Sequence, residues 1–101
     1  MAKEILIADS DKSDQEEFKK IFETTDYHLI FSEDGEDALL RARLLKPDLI
    51  IAEMSLKETD GLELCKTIKT DPECKSVPFL LLLNIFDELS EDDRNRAGVD
   101  G

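Results

Sequence analysis

Two acidic residues, Asp9 and Glu53, each close a short apolar run: Ile5-Leu6-Ile7-Ala8 before the first, Leu49-Ile50-Ile51-Ala52 before the second. Continuous runs of this length suit strands buried on both faces, so both carboxylates are expected at the mouth of a sheet. There the plain reading is two solvated acids. Ser10 follows Asp9, and together with His28 these residues supply hydrolase residue types. No nucleophile-elbow pattern surrounds the serine, and there is no glycine-rich phosphate loop. His28 has no acid or thiol at ligand spacing and is read as structural. Cys65 and Cys74 lack the further ligands a zinc site needs, so they are read as two reduced thiols.

The elements that must position these groups follow from periodicity. After the run Glu4–Ala8, Ser13-Asp14-Gln15-Glu16 reads as a capping box, and Phe18, Ile21 and Phe22 repeat at helical spacing. Tyr27 to Ser32 is a second strand, rich in aromatic and aliphatic side chains. Asp34-Gly35 turns the chain, and Ala38, Leu39, Ala42 and Leu45 form the buried stripe of a second helix. That helix stops before Pro47, because the residue preceding proline avoids helical angles. Leu49 to Ala52 is the third strand. Leu62, Cys65 and Ile68 mark a third helix starting from Gly61. Pro78 opens a fourth strand, Phe79 to Leu83, too short and too firmly bounded for a buried helix. Ser90 to Arg96 reads as a fourth helix, acidic at its start and basic at its end as the helix dipole prefers. Phe18, Phe22 and Phe31 are expected in the core, and the acid-rich runs Asp11 to Glu17 and Asp87 to Asp93 as solvated helix starts. Strand and helix alternating four times predict a parallel sheet with helices on both faces and right-handed crossovers.

Bulk composition narrows the function. The 101 residues suffice for one domain and one core, and 41% hydrophobic content argues against disorder despite 38% charged residues. A net charge of −12 leaves no basic patch for nucleic acid and nothing to attract an anionic membrane. No apolar run is long enough to span a bilayer, and the polar start Met1-Ala2-Lys3-Glu4 is not a signal peptide, so a cytoplasmic location is expected.

Four segments, in order, resemble the response-regulator receiver domain of two-component signalling. They are Ile5-Leu6-Ile7-Ala8-Asp9, Glu33-Asp34-Gly35-Glu36-Asp37-Ala38-Leu39, Pro47 to Gly61 with the pair Asp60-Gly61, and Ala97-Gly98-Val99-Asp100-Gly101. The resemblance implies a flavodoxin-like, doubly wound parallel sheet in strand order 2-1-3-4, with the site at the C-terminal strand ends. It implies one receiver-like domain over residues 1–101, incomplete at the C-terminus, where the family's fifth strand and helix would follow.

Within that family the chemistry uses an acceptor aspartate, two acids after the first strand, a carbonyl two residues past the acceptor, a hydroxyl ending the fourth strand and a lysine ending the fifth. By that resemblance Glu53 stands at the phosphoacceptor position and Asp9 at the first acid. Ser10 replaces the second acid, and Asp11 is offset by one residue and points elsewhere. Leu83 replaces the hydroxyl, Asn84 takes the place of a small residue, and Lys57 replaces a loop proline. The lysine has no counterpart. The implied module is a degenerate receiver that works by protein–protein contact rather than aspartyl phosphorylation. It needs no cofactor, and any Mg²⁺ is held weakly at Asp9, Glu53 and the Ser55 carbonyl. Its partners would be a sensor kinase or other signalling protein and an output domain, with no direct nucleic acid or membrane contact. Self-association is expected through the unprotected edge of the fourth strand. Two alternatives stand beside this reading. One is a phosphomimetic, constitutively active receiver, in which the extra methylene of Glu53 pushes a carboxylate toward a phosphoryl position. The other is a flavodoxin-like or other small α/β enzyme or cofactor-binding domain, although no hydroxyl- and glycine-rich loop follows Ala8.

Overall fold

The computed structural model describes residues 3–56, 59–83 and 91–100. Strands β1 (Glu4–Ala8), β2 (His28–Ser32), β3 (Leu49–Glu53) and β4 (Phe79–Leu82) alternate with helices α1 (Lys12–Phe22), α2 (Gly35–Leu45), α3 (Gly61–Lys69) and α4 (Glu91–Ala97). The four strands form one sheet in the order β2-β1-β3-β4, every pair parallel, as the alternation predicts. The register sets Ala8 beside Ser32 on one side and Ala52 on the other. The C-terminal ends of β1 and β3 therefore lie level, and whatever follows them shares one mouth.

Two apolar layers hold this sheet. On one face Leu6, Ala8, Ile30, Ile50 and Ala52 pack with Ala38 and Ala42 of α2 and with Leu64, Cys65 and Ile68 of α3. The alanines of α2 let that helix lie close to the strands. On the other face Ile5, Ile7 and Ile51 pack under Phe18 and Phe22 of α1, with Phe31 and Leu80 at the margin. The three phenylalanines expected in the core are there, half-buried. Ile21 is 64% exposed instead, because Gln15, Phe18 and Phe22 already define the inward stripe of α1. Leu45, expected in the buried stripe of α2, is also exposed, on the last turn before Lys46 takes a left-handed backbone (φ 45°) and ends the helix ahead of Pro47. The N-terminus of α1 differs from the capping-box reading as well. Asp11 is the cap, accepting from the Ser13 N–H at 2.7 Å, so the helix starts one residue before Ser13. Aspartate is as good a cap as serine, and it comes first along the chain.

The outer edge of β4 is not bare. The Ile50 N–H donates to the Pro78 carbonyl and the Met54 N–H to the Leu82 carbonyl, so even-numbered positions of this segment face β3. Odd positions face outward. At the first of these, the Phe79 N–H donates to the Asp100 carboxylate at 2.8 Å and its carbonyl accepts from the Asp100 N–H at 2.9 Å. Lys69 holds the same carboxylate oxygen at 2.7 Å and also donates to the Val77 carbonyl. The C-terminal residues thus cover the edge at Phe79, which corrects the expectation of an unprotected edge at that position. At Leu81, the next outward position, no described residue pairs with the backbone. The strand itself ends at Leu82, one residue short of the predicted Leu83, and both leucines are exposed.

Candidate functional site

The mouth is built on the chain turns after β1 and β3. Asp9 continues the β1–β2 pairing by one bond, its N–H donating to the Ser32 carbonyl at 2.9 Å. Its carbonyl accepts from the side-chain amide of Gln15, a buried residue of α1, at 2.8 Å. Its Oδ1 accepts from the Asp11 N–H at 2.9 Å, and Asp11 in turn caps α1. The result is a tight, fully bonded corner that fixes the Asp9 carboxyl with only 1% of the residue exposed. Asp11 is committed to the cap, in keeping with its reading as a residue pointing elsewhere.

Glu53 ends β3 in the adjacent register position. Its Oε1 accepts two hydrogen bonds from one residue: the Ser10 N–H at 2.9 Å and the Ser10 hydroxyl at 2.7 Å. Carboxylate oxygens of Asp9, Asp14 and Glu53 all lie within 4.8 Å of one another. These are the three groups that could share a cation among the described residues. Burial, reinforced by the nearby Glu53 and Asp14 carboxyls, pushes the Asp9 pKa up from 3.8 to about 7, against the lowering effect of the Asp11 N–H.

Asp14 was not singled out by sequence. It lies in a run expected as a solvated helix start, and the structure corrects this at Asp14, which faces the mouth, and at Gln15, which is buried. The available signal was its place in the first turn of the helix that follows β1, a turn that in parallel α/β sheets faces the strand ends. Ser10 was legible only as a missing acid; its two donors were not.

The remaining candidates fall into place around this core. A groove of about 470 Å³ opens beside the three carboxylates, with Met54, Ser55, Leu82 and Leu83 along the β3–β4 side and Phe18 and Ile21 opposite. Leu83 presents an apolar, 45% exposed side chain there. Asn84 and Lys57 lie outside the described residues. Asp60 caps α3 by accepting from the Glu63 N–H at 2.8 Å. The Gly61 N–H donates to the Met54 carbonyl at 2.9 Å, and a Cβ on Gly61 would meet the Glu53 carbonyl oxygen at 2.3 Å. The Asp60-Gly61 pair therefore starts α3 against the backbone of Glu53 itself.

Hydrolase geometry is not assembled. His28 pairs with Glu4, while Ser10 lies two residues past Ala8, which pairs with Ser32. At ~3.3 Å per residue the imidazole-bearing end of β2 is roughly 13 Å from the mouth. Cys65 and Cys74 are both buried and free. Burial pushes the Cys65 thiol up to about 11 and raises that of Cys74, so both are poor nucleophiles, as structural thiols should be. Among the described residues no helix is long and apolar enough to cross a membrane.

Comparison with known proteins gives a consistent picture. Residues 5–91 match the family described as "Response regulator receiver domain". The polar-differentiation response regulator DivK of Brucella anthropi is 31% identical over 98 residues, which cover 97% of this chain and 79% of that protein. A putative response regulator from Chloroflexus aurantiacus J-10-fl superimposes with a TM-score of 0.89 at 27% identity, covering 99% of this chain and 82% of that one. The Mn²⁺-bound form of the response regulator Rcp1 superimposes with a TM-score of 0.83, also at 27% identity, covering 97% and 77%.

Proposed function

Since the chain belongs to the response regulator receiver domain family, the module of two-component signalling, we propose that it acts by protein–protein contact and does not pass through an aspartyl phosphate. The observation that supports this best is the state of Glu53. It stands where we place the family's acceptor, its carboxylate is one methylene longer, and its Oε1 is already bonded twice by Ser10. Phosphoryl transfer rests on positioning and on charge stabilisation of the transferring group. Here the attacking oxygen would be displaced, and the groove wall offers Leu83 where a hydroxyl would be needed. The phosphomimetic alternative is the less favoured one, because Glu53 Oε1 is bonded back to Ser10 after β1. We assign the chain no catalytic role, and the partners that fit are signalling proteins such as a sensor kinase and an output domain.

The family neighbour with bound Mn²⁺ raises the question of a cation here. The donor set fits one poorly. Ser10 points two hydrogen-bond donors at the Glu53 oxygen that a cation would need. We therefore propose that Mg²⁺ is held weakly at best, through Asp9, Glu53 and the Ser55 carbonyl, and that no step of the function runs through it.

Intact-mass spectrometry after incubation with Mg²⁺ and acetyl phosphate tests the main proposal. The mass should stay unchanged. A stoichiometric phosphate adduct that vanishes in Glu53→Ala would overturn it.

We also propose that this form self-associates through the outer edge of β4. The support is the outward backbone at Leu81 beside the exposed Leu82 and Leu83, with cover from the described residues at Phe79 alone. An unpaired apolar edge is a template for another strand. Light scattering over a concentration series should show a rising average mass, and Asp100→Ala, which removes the carboxylate that bonds the Phe79 N–H, should bring the rise to lower concentration. A monodisperse monomer in both proteins would rule the edge out.

A further inference from the structure

We propose that Ser10 is a positioning residue that takes the place of a cation at this site, clamping the end of β3 to the end of β1 by hydrogen bonds to Glu53. The inference rests on the reading of Glu53 as the acceptor-equivalent residue and deepens it.

The geometry is specific. Both Ser10 donors converge on a single oxygen, Oε1, at 2.9 Å from the backbone nitrogen and 2.7 Å from the hydroxyl, across 43 residues of sequence. The Ser10 hydroxyl is the donor and the Glu53 carboxylate oxygen the acceptor. Charge-assisted bonds of this kind are the strong ones. A cation bridging Asp9 and Glu53 would do the same mechanical work, tying together the same two strand ends. It would also meet the positive ends of two bond dipoles at the oxygen it needs. Clamp and cation are thus alternatives at one place. Ser10 satisfies one carboxylate of the three-acid cluster; Asp9 and Asp14 keep oxygens within 4.8 Å of it. A carboxylate at position 10 would replace two donors with one donor and further ligand oxygens. The cluster would then hold four acids and no hydroxyl donor, a set suited to a hard divalent ion.

Mn²⁺ is the probe, followed by paramagnetic relaxation and by titration calorimetry on the 101-residue chain. Wild type should bind on the order of millimolar or weaker, and Ser10→Asp should bind about tenfold tighter or more. The clamp itself is read from the carboxyl ¹³C resonance of Glu53. Ser10→Ala should move it, whereas Ser10→Thr, which keeps the hydroxyl, should leave it near its wild-type position. A folded Ser10→Asp protein that binds Mn²⁺ no better than wild type would overturn the proposal. So would a Glu53 resonance that Ser10→Ala leaves in place. If Ser10→Asp fails to fold, the alanine and threonine pair decides alone. A phosphate adduct on the wild-type protein would instead defeat the proposed function, without touching the Mn²⁺ or carboxyl readouts.

Discussion

Gly61→Ala should lower the unfolding free energy by about 3 kcal/mol, near the upper end of what overpacking costs. The added methyl would sit 2.3 Å from the Glu53 carbonyl oxygen, 2.7 Å from Leu81 Cδ1 and 3.0 Å from the Glu53 carbonyl carbon. Two of these atoms are backbone of a central strand and cannot swing aside. The helix cannot easily retreat either. Asp60 caps it, the Gly61 N–H is bonded to Met54, and Leu64, Cys65 and Ile68 are buried behind it. For a domain of this size the loss corresponds to a fall of roughly 12–24 °C in Tm. Gly98→Ala is the informative companion. Gly98 has φ +78°, a cost for any L-residue, but its methyl would meet only the Lys69 side chain, at 3.2 Å. That substitution should cost about 1 kcal/mol. Urea unfolding of the two variants measures the ranking. If Gly61→Ala costs no more than Gly98→Ala, the close approach of α3 to the end of β3 is wrong.

The second large effect is a dependence of stability on pH that runs through Asp9. Its folded pKa is raised to about 7, chiefly by burial and then by the facing Glu53 and Asp14 carboxyls. Between pH ~4 and ~7 the folded chain keeps a proton that the unfolded chain has released, so stability falls as pH rises through that window. Above pH 7 the full cost of an ionised, buried carboxylate is present. Asp71 and Asp100 act in the opposite sense. Asp71 is lowered mainly by the Glu73 N–H and then by Arg43, and Asp100 mainly by Lys69 and then by the Phe79 N–H. Their contribution is present above pH ~4 and is lost in acid. Stability should therefore peak on the acid side of neutrality. Asp9→Asn keeps an acceptor for the Asp11 N–H and removes the charge. At pH 8 it should be more stable than wild type by on the order of 2 kcal/mol. At pH 4 the two should be alike. Chemical denaturation at four pH values between 4 and 8 checks this. An asparagine variant that is weaker than wild type at pH 8 would mean that Asp9 is stabilised as the anion.

These predictions draw on different depths of the sequence. The strands were legible because Ile5-Leu6-Ile7-Ala8 and Leu49-Ile50-Ile51-Ala52 are short runs apolar on both faces, the pattern of strands in a covered parallel sheet. The shared mouth of Asp9 and Glu53 follows from that pattern plus parallel order. Contacts that depend on side-chain direction were not legible. Asp14 and its neighbours Asp11 and Glu16 are interchangeable acids in the sequence; only the winding of α1 from its cap at Asp11 turns Asp14 toward the mouth. The sequence also favoured Ser13 as the cap, since serine and aspartate compete on nearly equal terms and the backbone angle at residue 11 decides. In the sequence Asp100 is only one residue of the segment Ala97-Gly98-Val99-Asp100-Gly101. Its bond to the Phe79 N–H joins residues 21 apart and depends on Lys69 reaching the same oxygen. Ser10 shows most clearly where the sequence runs out. It could be seen as the absence of an acid, but its positive role needs the 2.7 Å contact with Glu53.

The central claim is that Glu53, held by Ser10, fixes this domain in one state that phosphoryl chemistry does not switch. Amide spectra of ¹⁵N-labelled protein test it most directly, recorded with Mg²⁺ alone and then with Mg²⁺ and beryllofluoride, which mimics an acyl phosphate on a carboxylate. Beryllofluoride should add no change to the amides of Asp9, Ser10, Glu53, Met54 and Leu82 beyond that caused by Mg²⁺. A second, saturable set of peaks for these residues, absent in Glu53→Ala, would contradict it.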